Sequence, residues 1–317
     1  MRYSRQEILI GKEGQKKLSE KTVAIVGVGA TGSVSSQLIV RAGVGKVIIV
    51  DRDIVELDNL QRQLLYNETD IGKPKAIIAE RELKKLNSAV KINSYTEDLN
   101  PGNIKKILNG SDLILDCTDN FETRLLINDY CVKTHKPWIY SAGIKHQGTM
   151  MVFIPWGPCF RCIFKHPAGL DSCETAGILA STTTAIASFQ VSNAVKMLLG
   201  NVVEQSMIRI DVWDNKCDKI KVHKRKSCVA CQGIYEYLDG DKISKTLKMC
   251  GSNTYQIKGK EVNLKDIRQK VEKTMEVKGD TSFITFHNIT VFKDGRTLVK
   301  ANSEAEAKSL YSKFVGN

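Results

Sequence analysis

A chain of 317 residues that is 42% hydrophobic and 26% charged can build one large core with a smaller appended unit, and is too apolar to remain disordered. No apolar run approaches the roughly 18 residues of a membrane span, and "MRYSRQEILIGKEG" lacks the apolar centre and cleavage site of a signal peptide, so no membrane association and a cytoplasmic location are expected. A net charge of +12 points to an anionic partner, yet Lys and Arg are mixed with acids everywhere except "DKIKVHKRKSC", which ranks nucleic acid below an acidic protein or an anionic small substrate.

In chain order, "KTVAIVGVGATGSVSSQLIVRAGVGKVIIVD" joins a β-branched run, a glycine turn, a helix-compatible segment and a second apolar run, which is a βαβ unit. The pattern continues with a helix over 73–86, a strand near "AVKINSYTED", a helix over 103–108, the strand "SDLILDC" and a helix over 121–133. Such alternation predicts an α/β fold: a doubly wound, Rossmann-like, mostly parallel sheet with ligands at the carboxyl ends of its strands. Beyond "KPWIYSAG", the runs "GTMMVFIP" and "SMIRIDVWDNKCDKIKVHK" read as strands of an antiparallel extension. Between them "ILASTTTAIASFQVSNAVKMLLG" is a long apolar helix ended by Gly200, suited to the core or a subunit interface.

Two domains are expected, 1–236 and 237–317, the second a small α+β unit of βαββα type. It holds a strand near "TYQIKG", a helix over "LKDIRQKVEKT", a hairpin "FITFHNITVFKDGRTLVKA" turning at Asp294-Gly295, and a last helix over 303–314.

Gly27, Gly29 and Gly32 in "GVGATG", with Ala30 and Thr31 between them, follow a strand and open a helix, so backbone N–H groups can approach a phosphate. Asp51 lies 19 positions after Gly32, with Asp53 just beyond, where a carboxylate can accept from a ribose. These features alone fit any mono- or dinucleotide, and an NAD-dependent oxidoreductase is the plain alternative. "DNLQRQ" then adds Asn59, Arg62 and Gln63 on an expected short helix, and Lys75 in "IGKPKA" begins the next. Two cations suit a triphosphate better than the pyrophosphate of NAD, although a solvated charged face accounts equally for Lys73, Lys75 and Arg62. "DCTDN" supplies Asp116, Asp119 and Asn120 at another strand end, where an acid can hold the Mg2+ that accompanies ATP. Asp119 is the better candidate, Asp116 being open to use as a helix cap or a buried acceptor.

Nine cysteines without a secretion signal favour metal or thiol chemistry over disulfides. Cys159, Cys162, Cys228 and Cys231 form two CxxC knuckles that suit a closed, structural Zn2+ site. Cys173, in a Gly- and Pro-containing stretch, is either a thiol that attacks an activated acyl group or an incidental cysteine. Cys117, Cys131, Cys217 and Cys250 read as small apolar fillers.

The ordered set "RYSRQ", "GVGATG", "DNLQRQ", "IGKPKA", "DCTDN", "PCFRC", "CETAG" and "CVAC" closely resembles the ThiF/MoeB/HesA family, relatives of ubiquitin-activating enzymes, over about residues 2–233. The resemblance implies a homodimer that adenylates the C-terminal Gly-Gly carboxylate of a ubiquitin-like sulfur-carrier protein with MgATP, serving molybdopterin, thiamin or tRNA thiolation. By motif Gly29 and its neighbours, Asp51, Asn59, Arg62, Lys75 and Asp119 would line the nucleotide site. Arg5 matches an arginine that reaches the triphosphate of the opposite subunit, and Cys173 a thiol that in some members bonds to the carrier. Carboxylate attack on an α-phosphate brings two anions together, so Arg5, Arg62, Lys75 and a Mg2+ on Asp119 would carry the catalysis. No general base is needed for a nucleophile already ionised at neutral pH. The unit after Ile234 is too short for a rhodanese domain and has no thiol beyond Cys250, so sulfur would come from a separate donor protein. A peptide C-terminus or small-molecule carboxylate as acceptor, and a non-catalytic binding module, are the remaining alternatives.

Overall fold

The computed structural model describes residues 2–164, 176–242, 246–248 and 253–316. The chain divides into two compact units, Met1–Lys242 and Ile243–Asn317. The first unit opens with α1 (Ser4–Ser19), β1 (Thr22–Val26), α2 (Ala30–Ala42), β2 (Lys46–Val50), α3 (Lys75–Leu86) and β3 (Lys91–Tyr95). It continues with α4 (Ile104–Leu108), β4 (Leu113–Asp116), α5 (Phe121–Thr134), β5 (Trp138–Ile144) and β6 (Gln147–Phe153). Among the described residues, a single-turn α6 (Phe160–Ile163), α7 (Ala180–Leu199), β7 (Ser206–Asp211) and β8 (Lys216–Lys221) follow.

These strands form one eight-stranded sheet in the order β3-β2-β1-β4-β5-β6-β7-β8. β3 through β5 run parallel, and β6, β7 and β8 add on antiparallel, as the change of pattern after "KPWIYSAG" predicts. The strand order reverses between β1 and β4, which opens a crevice at their carboxyl ends. Strand alternation divides the core in two. Val23 and Ile25 of β1 pack with Val40 of α2, Ala79 of α3 and Ile186 of α7, while Ala24 and Val26 face Ile107 of α4 and Leu126 of α5. Residues as far as the Tyr237–Leu238 pair belong to this packing, the Tyr237 N–H donating to Asp129.

Local chemistry sets the helix ends. Pro74, with its fixed φ, precedes α3 and starts it two residues later than the pattern suggests. Asn120 caps α5 by accepting the Thr123 N–H at 2.9 Å. Gly200 ends α7 in the left-handed region, as expected from the sequence. α1 falls where no element is expected from the sequence; it is broken internally at Gly11 (φ 75°, ψ 163°). The short helix expected over Asn59–Gln63 reduces to one 3-10 turn, Leu57–Asn59, followed by turns. Among the described residues no helix is long and apolar enough to cross a membrane.

The second unit is a six-stranded sheet, β11-β12-β13-β14-β10-β9, formed by β9 (Thr246–Lys248), β10 (Thr254–Lys258), β11 (Lys278–Gly279), β12 (Phe283–Phe286), β13 (Ile289–Phe292) and β14 (Arg296–Lys300). α8 (Leu264–Val271) and α9 (Glu304–Phe314) supply Ile267 and Ala307 to a core with Ile284, Phe286 and Val299. It is therefore richer in strands than βαββα. The expected single hairpin is a three-strand meander, because the chain already reverses at His287-Asn288, where Phe286 pairs with Ile289. His287 takes φ 47° there, a conformation that His and Asn adopt more readily than most residues.

Candidate active site

The crevice between β1 and β4 is a cleft of about 570 Å³. Its floor is the β1–α2 turn, which two glycines allow to lie against the end of β4. Gly27 has φ 84°, and a Cβ there would come within 2.8 Å of the Cys117 carbonyl oxygen. At Gly32 a Cβ would sit 2.0 Å from the Gly27 carbonyl oxygen, so the helix can start this close to the turn only without a side chain. Gly29, Ala30 and Thr31 line the cleft directly beside this turn.

The end of β2 supplies its acidic side. Asp51 accepts the Val28 and Asp53 N–H groups, each at 2.7 Å. Burial, and then the neighbouring Asp53 charge, push its pKa up to about 6, against the pull of Lys75. Lys75, 5% exposed, places Nζ 3.5 Å from Asp53 Oδ2. Burial works to lower the Lys75 pKa, but the Asp53 and Asp51 carboxylates overcome it and hold the ammonium charged. Arg62 also lines the cleft, half-buried, its guanidinium donating to the Asp58 carbonyl at 2.7 Å. Gln63 is buried beside it with its Oε1 lacking a hydrogen-bond partner.

The end of β4 supplies the opposite wall. Asp119 is exposed at the cleft, and Asn120 lines it while capping α5. Asp116 is fully buried and accepts the Thr118 N–H and hydroxyl at 3.0 and 2.7 Å, so of its two readings the buried acceptor holds. Burial raises its pKa, opposed by Arg124, whose Nε is 3.6 Å from Asp116 Oδ2.

Three expected residues are not in this group. Asn59 does not line the cleft: its Oδ1 accepts the Glu56 N–H at 3.3 Å and its Nδ2 donates to Asp58 at 2.9 Å, closing the 3-10 turn. Arg5 is exposed on α1 and does not line the cleft of its own chain. Cys173 lies outside the described residues.

Two arginines are among the cleft residues that escape the sequence reading. Arg52 donates to Asp98 at 3.0 Å and lies 3.7 Å from Asp53; burial works to lower its pKa, and the Asp98 and Asp53 charges hold it above the ordinary arginine value. Its signal is a basic residue between two acids at a strand end. Arg124 donates to the Thr118 carbonyl and stands over the Tyr140 and Phe121 rings at 5.0 and 5.5 Å. Its place one turn beyond the Asn120 cap is a usable, weak signal.

A second cluster joins α6 to the chain beyond β8. The Cys159, Cys162, Cys228 and Cys231 sulfurs all lie within 4.8 Å of one another, with hydrogen-bonded pairs at 3.5–3.8 Å. A tetrahedral thiolate site with metal–sulfur bonds of about 2.3 Å has edges of about 3.8 Å, so the quartet fits such an ion. The Arg225 N–H donates to Cys162 Sγ at 3.5 Å, and bonds from Cys159, Cys228 and this N–H hold the Cys162 thiol below the usual range.

Residues 3–230 match the ThiF family. The chain belongs to the ThiF family. Among ThiF-family relatives, it is 38% identical over 333 aligned positions to the sulfur carrier protein ThiS adenylyltransferase of Bacillus subtilis, covering 99% of both chains. It is 36% identical to the sulfur carrier protein adenylyltransferase of Thermus thermophilus, over 73% of this chain and 90% of that one. The ATP complex of E. coli MccB superposes with a TM-score of 0.65 over 73% of this chain and 74% of its own; at 23% identity the likeness concerns the fold. The match to the Bacillus protein extends through the second unit, so that unit is shared with a ThiF-family relative.

Proposed function

We propose that this chain is an adenylyltransferase that uses ATP to activate the C-terminal Gly-Gly carboxylate of a ubiquitin-like sulfur-carrier protein, releasing pyrophosphate. The observation that carries the reading is the full-length likeness to a sulfur carrier protein ThiS adenylyltransferase. The cleft supports it chemically. The β1–α2 turn offers backbone N–H groups to phosphates, Asp51 offers acceptor lone pairs to a ribose, and Lys75 and Arg62 neutralise the triphosphate. Asp119, an exposed oxygen ligand whose charge already raises the Lys75 and Arg52 pKa values, fits a Mg2+ bound through one carboxylate and the substrate phosphates. That ion would add positive charge where the α-phosphate is attacked. The cysteine quartet would hold Zn2+ with every position filled by protein, which makes the ion structural.

The test is exchange of labelled pyrophosphate into ATP. With a ThiS-like carrier the exchange should depend on the carrier and vanish when its last glycine is removed. No exchange with any Gly-Gly carrier, or equal exchange without one, overturns the reading.

The Asp51 carboxyl sets an acid limit. A ribose hydroxyl donates to the ionised form, and that form is lost as pH falls through about 6. In the wild-type protein kcat/KM for ATP should therefore fall by about tenfold per pH unit on the acid side of this value. Asp51→Asn should lower it at neutral pH and flatten that limb; a wild-type profile flat from pH 7.5 to 5 counts against the assignment.

Arg5 belongs to the proposed homodimer and would act in trans. Ile8 and Leu9 beside it are 77% and 86% exposed, apolar surface that a subunit contact would cover. Arg5→Ala and Lys75→Ala proteins, each weak alone, should regain up to about a quarter of wild-type activity when mixed and allowed to exchange subunits, since half the dimers are hybrids and each hybrid keeps one intact site. No recovery in a verified hybrid shows that Arg5 does not act across the interface.

A further inference from the structure

α6 lies between the cysteine quartet and the cleft: it carries Cys162 and is followed at once by Phe164, which lines the cleft. Cys159 and Cys162 bracket Phe160, and Phe164 follows two residues after Cys162. Phe160 is fully buried, and its ring centroid lies 4.4 Å from Phe164, 5.2 Å from Tyr140, 5.9 Å from Trp138 and 6.1 Å from both Phe121 and Phe153. Three of these neighbours, Phe121, Tyr140 and Phe164, line the cleft. Ala142 and Ile144 line the cleft with them, and the Arg124 guanidinium stands over the Phe121 and Tyr140 rings.

That wall suits the acceptor. A triphosphate needs the cations, whereas the stretch of polypeptide behind the acceptor carboxylate carries no charge and is held by apolar walls and by exclusion of water. We propose that Phe160 is a positioning residue through which the cysteine quartet sets the aromatic wall of the cleft, and that this wall holds the acceptor tail.

Packing makes the coupling physical. Cores have crystal-like density, so the ring between the two ligating cysteines cannot shift without moving the rings it touches. The rest of α6 gives the relay a fixed base: the Phe160 N–H donates to Asn128, which is buried on α5, at 2.8 Å, and Arg161 pairs with buried Asp129 at 3.4 Å. A change in the size of the quartet therefore passes into the ring cluster instead of dissipating in a loop. Removing Phe160 should break the relay while leaving all four ligands in place.

The kinetic half of this inference rests on the proposed adenylation; the structural half does not. Trp138, fully buried and stacked on Phe153 at 4.5 Å, reports on the ring cluster. The other tryptophans, Trp156 and Trp213, are exposed and can be changed to phenylalanine to leave Trp138 as the only emitter.

The experiment compares zinc- and cadmium-loaded protein in that background, with and without Phe160→Leu, each at one metal per chain by elemental analysis. Cadmium is a larger thiophilic ion that widens the quartet without abolishing it. With Phe160 present, cadmium should shift Trp138 emission and raise the acceptor KM by about threefold to tenfold, leaving the ATP KM within about twofold. In Phe160→Leu both responses to cadmium should disappear, although the variant itself starts from a higher acceptor KM. Phe164→Leu, which alters the wall directly, should raise the acceptor KM and keep the Trp138 response. Equal cadmium effects with and without Phe160, or no effect in either, overturn the relay. If no acceptor supports exchange, the adenylation reading fails, and the Trp138 response still decides whether quartet and wall are coupled.

Discussion

Lys75→Ala should lower kcat/KM for ATP by about 10²- to 10³-fold, the usual cost of deleting one preorganised charged donor from a phosphoryl-transfer site. Two effects act together. The first is direct, because Lys75 is buried at the cleft and keeps its charge against desolvation. The second is indirect: without the ammonium 3.5 Å from Asp53, the Asp51 and Asp53 carboxylates face an incoming triphosphate with less opposing charge. Arginine should rescue poorly, since the larger planar head does not fit a site built around a compact ammonium. Lys73→Ala is the control, for that side chain is exposed and donates to the Thr69 carbonyl, at 2.8 Å, outside the cleft lining. It should change kcat/KM by less than about twofold. If the two variants behave alike, the solvated-face reading of these lysines was the correct one.

The pattern that makes Lys75 readable is the same one that makes the sheet readable. β1, β2 and β4 are short, buried and rich in branched residues, and each ends in a group with chemistry: the glycine turn, Asp51 and Asp116. In a parallel sheet those ends must meet along one edge, so linear order translates into a cleft. The cysteine quartet is legible for a different reason, since CxxC spacing fixes two ligands locally and four thiols leave few alternatives to a metal.

Where the structure departs from the linear pattern, local bonds and distant partners decide the outcome. Asn59 stands in a ligand-like string, but its amide helps to close the turn that presents Arg62 and does not line the cleft, a use that Asn makes as readily as ligand binding. Arg52 and Arg124 carry only weak local signals as cleft residues because their burial depends on partners distant in sequence or on rings brought in by β5, Asp98 and Tyr140 among them. In the second unit, the turn at His287-Asn288 interrupts an apolar run without Gly or Pro, so alternation alone reads straight through it.

Cys159→Ser carries the largest expected effect on stability. The quartet joins α6 to the segment beyond β8, with Cys228 standing 66 positions after Cys162. A cross-link closing a loop of that length contributes about 4 kcal/mol in the chain-entropy description. For a unit of this size that corresponds to a fall in Tm of about 10 °C. The loss should stop short of complete unfolding, because two cores flank the parallel sheet independently of the cysteines, unlike a zinc finger that has little else. Metal content should drop from one per chain to near zero, and strong chelators should reproduce the Tm shift in the wild-type protein. Cys217→Ser provides the comparison, since that thiol is exposed on the edge strand β8 and should leave both quantities unchanged. A Cys159→Ser protein that retains full metal and an unshifted Tm would mean that the four sulfurs, however close, do not tie the chain together.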